Sequence, residues 1–248
     1  RMMVTVAHVI GVDCAVDPRK TGLVFAHMQA EGLVIKDATL ASKKSSAAGI
    51  VSDSLTDSAD ALICLDAPLG WPRTMEKALA GHRAGQSFGV SSNSLFRRAT
   101  DDFVHQHFRK RPLDVGADRI ARTAVAALEL LGEVSERLHR PIPLAWGRQE
   151  RQKISAIEVY PAATRLAWNC ASGSGCLDGL HSHFKLQPGF SLPDSEHVRD
   201  AVVCVIAGKD FLLDLCFPPT DQSSAEKEGW IWVARPQDLA CTDQRVSP

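Results

Sequence analysis

The sequence predicts an α/β fold. Its mixed sheet has five strands, the first three antiparallel and the last two reached by crossovers, with a helical insertion between the fourth and fifth. Three observations point to this. Glycine turns separate three apolar runs at the start of the chain, the mark of an antiparallel meander. Two further short apolar runs are each followed by loop or helix-start signals. The long stretch between those two runs carries helical spacing.

Val4–Asp13, Leu23–Ala30 and Leu33–Leu40 read as the first strands, with Gly22 and Gly32 at the turns. A helix is expected from Ser46 to Asp57, capped by Ser45 or Ser46. The fourth strand, Ala61–Asp66, runs into Ala67-Pro68-Leu69-Gly70-Trp71-Pro72, whose prolines fix a rigid loop. Residues 73–152 form the helical insertion. Its clearest piece, Arg119–Leu138, places Ile120, Ala124, Ala127, Leu128, Leu131 and Val134 at helical spacing. Gly85–Asn93 is a Gly/Ser-rich loop within it.

The fifth strand is Ile154–Val159, and Pro161 suits the first turn of a helix running to about Trp168. Ala171–Gly175 reads as a linker. A long helix over Ser195–Leu215 follows, capped by Asp194 or Ser195, and Trp230–Val233 reads as a last edge strand. With no repeat and no internal boundary, residues 1–248 are expected to form a single domain. This element order is the layout of the ribonuclease H-like fold, in which the first, fourth and fifth strands are adjacent and parallel.

Composition narrows the function. The 248 residues are 45% hydrophobic and 23% charged, with a formal net charge of −1. That balance excludes a protein that coats nucleic acid by bulk charge. It leaves room for a local basic surface: Arg73, Lys77, Arg83, Arg97, Arg98, Arg109, Lys110 and Arg111 face only Glu76, Asp101 and Asp102 in the same segment. An aromatic content of 6% is too low for a long base-stacking platform. Of the seven cysteines, Cys14, Cys64, Cys204 and Cys216 sit in apolar runs and none forms a C-x-x-C pair, which suits reduced thiols in the cytoplasm. No run reaches membrane-spanning length, so no membrane partner is expected.

The most informative feature is that three strands end on a carboxylate: Asp13, Asp66 and Glu158. Ligands bind outside the carboxyl ends of strands in open α/β sheets. Acids gathered there repel one another unless a proton, a base or a cation neutralises them. Asp200 is the fourth candidate, an acid within the apolar helix stretch Arg199–Ala207. Together Asp13, Asp66, Glu158 and Asp200 suit two Mg²⁺ or Mn²⁺ ions, the apparatus of phosphodiester hydrolysis. Arg97 and Arg98, and more weakly Lys185 and Lys153, are the cations available to hold phosphate. Each acid also has a plainer reading. Asp13 and Asp66 could close turns, while Glu158 and Asp200 could favour helix starts. It is their joint placement that points to a site.

The segments Gly11-Val12-Asp13-Cys14, Leu65-Asp66-Ala67-Pro68-Leu69-Gly70, Arg98-Ala99-Thr100-Asp101, Glu158-Val159-Tyr160-Pro161 and Asp200-Ala201-Val202-Val203-Cys204 follow one another in a recognisable order, with Glu228-Gly229-Trp230-Ile231 after them. In this the chain resembles the predicted ribonuclease H-like nucleases catalogued as domain of unknown function 429. The resemblance implies a metal-dependent nuclease acting on DNA or RNA, with Asp13, Asp66, Glu158 and Asp200 in the acidic site and Arg98 and Asp101 beside it.

Two other readings compete. An actin-like phosphotransferase or ATPase shares the strand order, but it needs a Gly/Ser/Thr-rich phosphate hairpin where this chain has Cys14-Ala15-Val16-Asp17-Pro18. A non-catalytic nucleic-acid-binding protein is expected if the acids do not converge. A serine hydrolase is disfavoured by the lack of a G-x-S-x-G elbow. His105-Gln106-His107 and His181-Ser182-His183 lack further ligands at zinc spacing.

Overall fold

In a computed structural model, residues 7–55, 60–116, 118–170 and 175–236 are described. The chain begins with β1 (Ala7–Asp13), β2 (Gly22–Gln29) and β3 (Gly32–Leu40), the antiparallel meander. The expected extension of the first strand back to Val4 lies outside the described residues. Next comes α1 (Ala47–Ser54), whose cap is Ser46, its hydroxyl accepting from the Gly49 N–H at 3.1 Å. β4 (Ala61–Asp66) then pairs in parallel with β1.

The insertion contains α2 (Arg73–Leu79), α3 (Ser92–Phe96), α4 (Ala99–Phe108) and α5 (Asp118–Arg137). It stops being helical earlier than expected. After α5 the chain runs extended, and Leu144 bridges Ala156 beside β5 (Ile154–Glu158), itself parallel to β4. Proline at positions 141 and 143 accounts for this, because neither can donate to a helical ladder.

The remainder comprises α6 (Pro161–Ala167), β6 (Lys185–Leu186), α7 (Glu196–Leu212) and α8 (Gln222–Glu228). The sheet therefore has six strands, in the order β5-β4-β1-β2-β3-β6, against the five expected. The additional strand is two residues long, pairing Lys185 and Leu186 with Val34 and Ile35. It is too short for any alternation to show in the sequence. The expected edge strand Trp230–Val233 is a single bridge from Ile231 to Glu158.

Helices cover both faces. α7 lies on the face of Val9, Val24, Leu62 and Ile157 and is buried nearly all round. It can approach so closely because β1 has glycine at its centre. A Cβ on Gly11 would stand 2.2 Å from the Ala201 carbonyl oxygen. α5 and α1 cover the opposite face, over Ile10, Val12, Ile63 and Leu65. The buried stripe of α5 uses Leu130 where the spacing had suggested Leu128, which is 39% exposed. No helix among the described residues is long and apolar enough to cross a membrane. The described cysteines are free thiols, Cys170 and Cys176 included.

Candidate active site

Asp13 and Asp66 are direct register partners at the carboxyl ends of two parallel strands. Side chains alternate along a strand, so Asp13 shares the α7 face with Val9 and Gly11, and Asp66 shares it with Leu62 and Cys64. Two carboxylates thus stand side by side on adjacent strands. α7 brings Asp200 to the same end of the sheet, close enough to raise the pKa of both strand acids. Burial, then Asp200 and Glu196, push Asp13 up to about 8, with Arg165 acting in the opposite direction. Asp66 is driven well above the carboxylate range by burial first, then by Asp13 and Asp200.

Two residues that the sequence did not single out complete the cluster. His197 places Nδ1 2.7 Å from Asp13 Oδ2. It lies one helical turn before Asp200, and that spacing was the signal available for finding it. Arg165, from α6, donates to Asp200 Oδ1, which also accepts from the Gly175 N–H at 3.0 Å. Nothing in the pattern of α6 marks Arg165, since its role depends on how α6 packs against α7.

Glu158 does not join these acids. Its register partner is Leu65, whose side chain faces the opposite side of the sheet from Asp66. Both Glu158 oxygens are already engaged. Arg98 donates to Oε1 at 2.7 Å and to Oε2 at 2.9 Å, and the Leu69 N–H donates to Oε2 at 2.9 Å. Asp101 takes the other edge of the same guanidinium at 2.9 and 3.2 Å. Arg98, Asp101 and Glu158 are 1%, 1% and 3% exposed. Burial works against the Arg98 charge, but Glu158 and Asp101 outweigh it and hold the guanidinium above its ordinary range. Glu158 is therefore corrected from metal ligand to structural ion-pair partner. Arg98 and Asp101 likewise have no free edge to offer a substrate.

The last turn of α8 locks this cluster. The Glu228 carboxylate accepts from the N–H groups of Arg73 and Ala99 at 2.9 and 2.8 Å, and its carbonyl accepts from Arg98 at 3.1 Å. Gly229 follows with φ of 84°, and a Cβ there would lie 2.7 Å from Glu158 Oε2. This is why Glu228-Gly229 belongs with the Arg98 segment.

Of the other cations expected to hold phosphate, Lys185 lies apart from this centre and Arg97 is partly paired. Lys185 sits on β6, three strands from β1 and so roughly 14 Å away across the sheet. It is placed too far off to touch a phosphate bound at Asp13. Arg97 is partly exposed and faces Asp114 at 3.5 Å.

Beside Asp66 opens a cavity of about 270 Å³. Its walls come from the Ala67-Pro68 loop, from Pro112 and Leu113, from Ile120 and Thr123 on α5, and from Val159 and Tyr160 after β5. Burial and the nearby Asp66 push the Tyr160 hydroxyl up to about 12, so it remains a proton donor. Arg109 and Lys110, both exposed, are separated from the cavity-lining Pro112-Leu113 by Arg111, which pairs with Asp102.

Among the described residues, no three His, Cys, Asp or Glu side chains are arranged to hold one metal ion. The donor set still has a cation's chemistry. Asp13 and Asp66 are hard oxygen ligands forced together and under pressure to be neutralised. Mg²⁺ commonly takes one or two carboxylates and fills its other positions with water and substrate phosphate. A pair of carboxylates meets that requirement, whereas the expected set of four does not form.

A family model described as "Protein of unknown function (DUF429)" matches residues 11–175, and the chain belongs to that family. No curated protein and no solved structure gave a match.

Proposed function

We propose that the protein is a metal-dependent phosphodiesterase, a nuclease of ribonuclease H-like architecture, which hydrolyses nucleic acid at Asp13 and Asp66. One observation carries this reading: two carboxylates in register at the carboxyl ends of adjacent parallel strands, both held above their ordinary pKa. The exposed Arg109 and Lys110, close in sequence to the cavity-lining Pro112, would supply attraction for a phosphate backbone. The free thiols suit a cytoplasmic setting.

Asp13 and Asp66 would hold an Mg²⁺ or Mn²⁺ ion, with Asp200 close enough to orient water in its shell. Bound there, the ion would lower the pKa of water and neutralise charge on the phosphate. His197 holds the Asp13 carboxylate through Oδ2, so Oδ1 would be the oxygen offered to an ion. Arg165 performs the same service for Asp200 through Oδ1. Since Glu158 lies outside the cluster, the carboxylates present support one such ion rather than two.

The test is cleavage of a panel of single-stranded and duplex DNA and RNA with Mn²⁺ or Mg²⁺, comparing wild type with Asp13→Asn and Asp66→Asn. Cation-dependent scission that falls at least a hundredfold in both variants is expected. Turnover of ATP without strand scission would replace the nuclease with a phosphotransferase.

A further inference from the structure

The cavity beside Asp66 has a shape and a lining that the acid cluster alone does not explain. At about 270 Å³ it falls just below the roughly 300–1,000 Å³ usual for small-molecule sites. It therefore has room for a flat ring system. Pro68, Leu113 and Ile120 give it apolar walls on several sides. The Tyr160 hydroxyl at its edge has no hydrogen-bond partner among the described residues and is free to meet a polar ring edge. Asp66 forms part of the lining, so a group seated in the cavity lies against one of the two strand-end carboxylates.

We infer that this cavity seats a single unstacked nucleobase, whose attached phosphate then lies over Asp13 and Asp66. This rests on the nuclease reading and names its substrate class. Walls contributed by two loops and α5 enclose a ring in a way that a base within a duplex, covered on both faces by its neighbours, cannot satisfy. Such a base has to leave the stack first. The substrate is accordingly a single-stranded segment or a looped-out nucleotide, with the exposed Arg109 and Lys110, near Pro112 in sequence, as candidates to hold its backbone.

The test uses the full chain with Mn²⁺ and three labelled oligonucleotides: a single strand, its perfect duplex, and the single strand carrying one abasic residue. The single strand should be cut at least tenfold faster than the duplex, and cleavage beside the abasic residue should fall at least tenfold. In parallel, binding of a nucleoside monophosphate is followed by calorimetry in wild type, Ile120→Trp and Tyr160→Phe, with thermal unfolding to verify folding. Ile120→Trp fills the cavity and should weaken binding at least tenfold, Tyr160→Phe about threefold. Equal cleavage beside the abasic residue, or undiminished binding in a folded Ile120→Trp variant, overturns the inference while cation-dependent cleavage still stands. If no strand is cut but Ile120→Trp abolishes mononucleotide binding, the cavity assignment holds and the nuclease reading falls. Absence of mononucleotide binding in wild type overturns the assignment.

Discussion

Arg98 and Glu158 form a two-pronged, almost fully buried ion pair, with the Arg98 guanidinium on both carboxylate oxygens at 2.7 and 2.9 Å. The pair joins the start of α4 to the end of β5 and holds the insertion against the sheet. Removing one partner strands the other charge in the interior.

Arg98→Met and Glu158→Ala are each expected to destabilise the protein by about 3–5 kcal/mol, the usual cost of breaking a buried pair. Urea unfolding measures this. Glu158→Gln in a folded sample should leave cation affinity within twofold of wild type, since Glu158 faces away from Asp13. A loss of affinity beyond tenfold would return Glu158 to the metal site.

The raised pKa of Asp13 makes stability depend on pH in an unusual direction. Its carboxyl titrates near 3.8 when unfolded and at about 8 when folded, so the folded state binds more protons between those values. Stability should then fall as pH rises from about 4 to about 8, the reverse of an ion-paired aspartate. Asp13→Asn removes the Asp13 part of this dependence, leaving the part from the raised Asp66, and should melt higher than wild type at pH 8. Melting curves across that range, with and without the substitution, give the comparison.

Divalent cations should relieve the same strain. Mn²⁺ at millimolar concentration is expected to raise the melting temperature of wild type by several degrees at pH 8, because a ligand that binds only the folded state stabilises it. At pH 5 the carboxyls hold protons and the increase should largely vanish. In Asp66→Asn it should be small at either pH. An equal response in wild type and Asp66→Asn would place the cation elsewhere.

Gly229 adopts a positive φ and passes within 2.7 Å, at the Cβ position, of Glu158 Oε2. Gly229→Ala combines backbone strain with a steric conflict against a buried carboxylate. It should cost roughly 1–3 kcal/mol, read by denaturant unfolding. Gly81→Ala, with φ of 80° but open space around its Cβ position, isolates the backbone component and should cost less.

Much of the framework could be read from the chain. The antiparallel meander, the parallel return of β4 and β5, the Ser46 cap and the placing of Asp13 and Asp66 all follow from glycine turns, apolar runs and strand-end acids. The error over Glu158 has a specific cause. An acid at the end of a strand reveals its height in the sheet but not its face, and β5 is offset so that Glu158 pairs with Leu65 instead of Asp66. A register shift of one residue exchanges the faces, and only the pairing itself discloses it. Arg165 was missed, and Arg98 was read as a phosphate-holding cation, for a related reason: an arginine that neutralises a buried acid looks the same in sequence as one that faces solvent.

The contact between Gly11 and the Ala201 carbonyl reaches beyond packing. It presses the main chain of α7 directly against the main chain of β1 one residue after Asp200 and two before Asp13. The gap separating those acids is thus set by two peptide backbones in contact, with no adjustable side chain between them. Such a frame acts as a fixed gauge. Under the proposed cation-binding reading, a site so framed would select its ion by radius, and Asp200→Glu, which lengthens the reach of one carboxylate, would shift that preference.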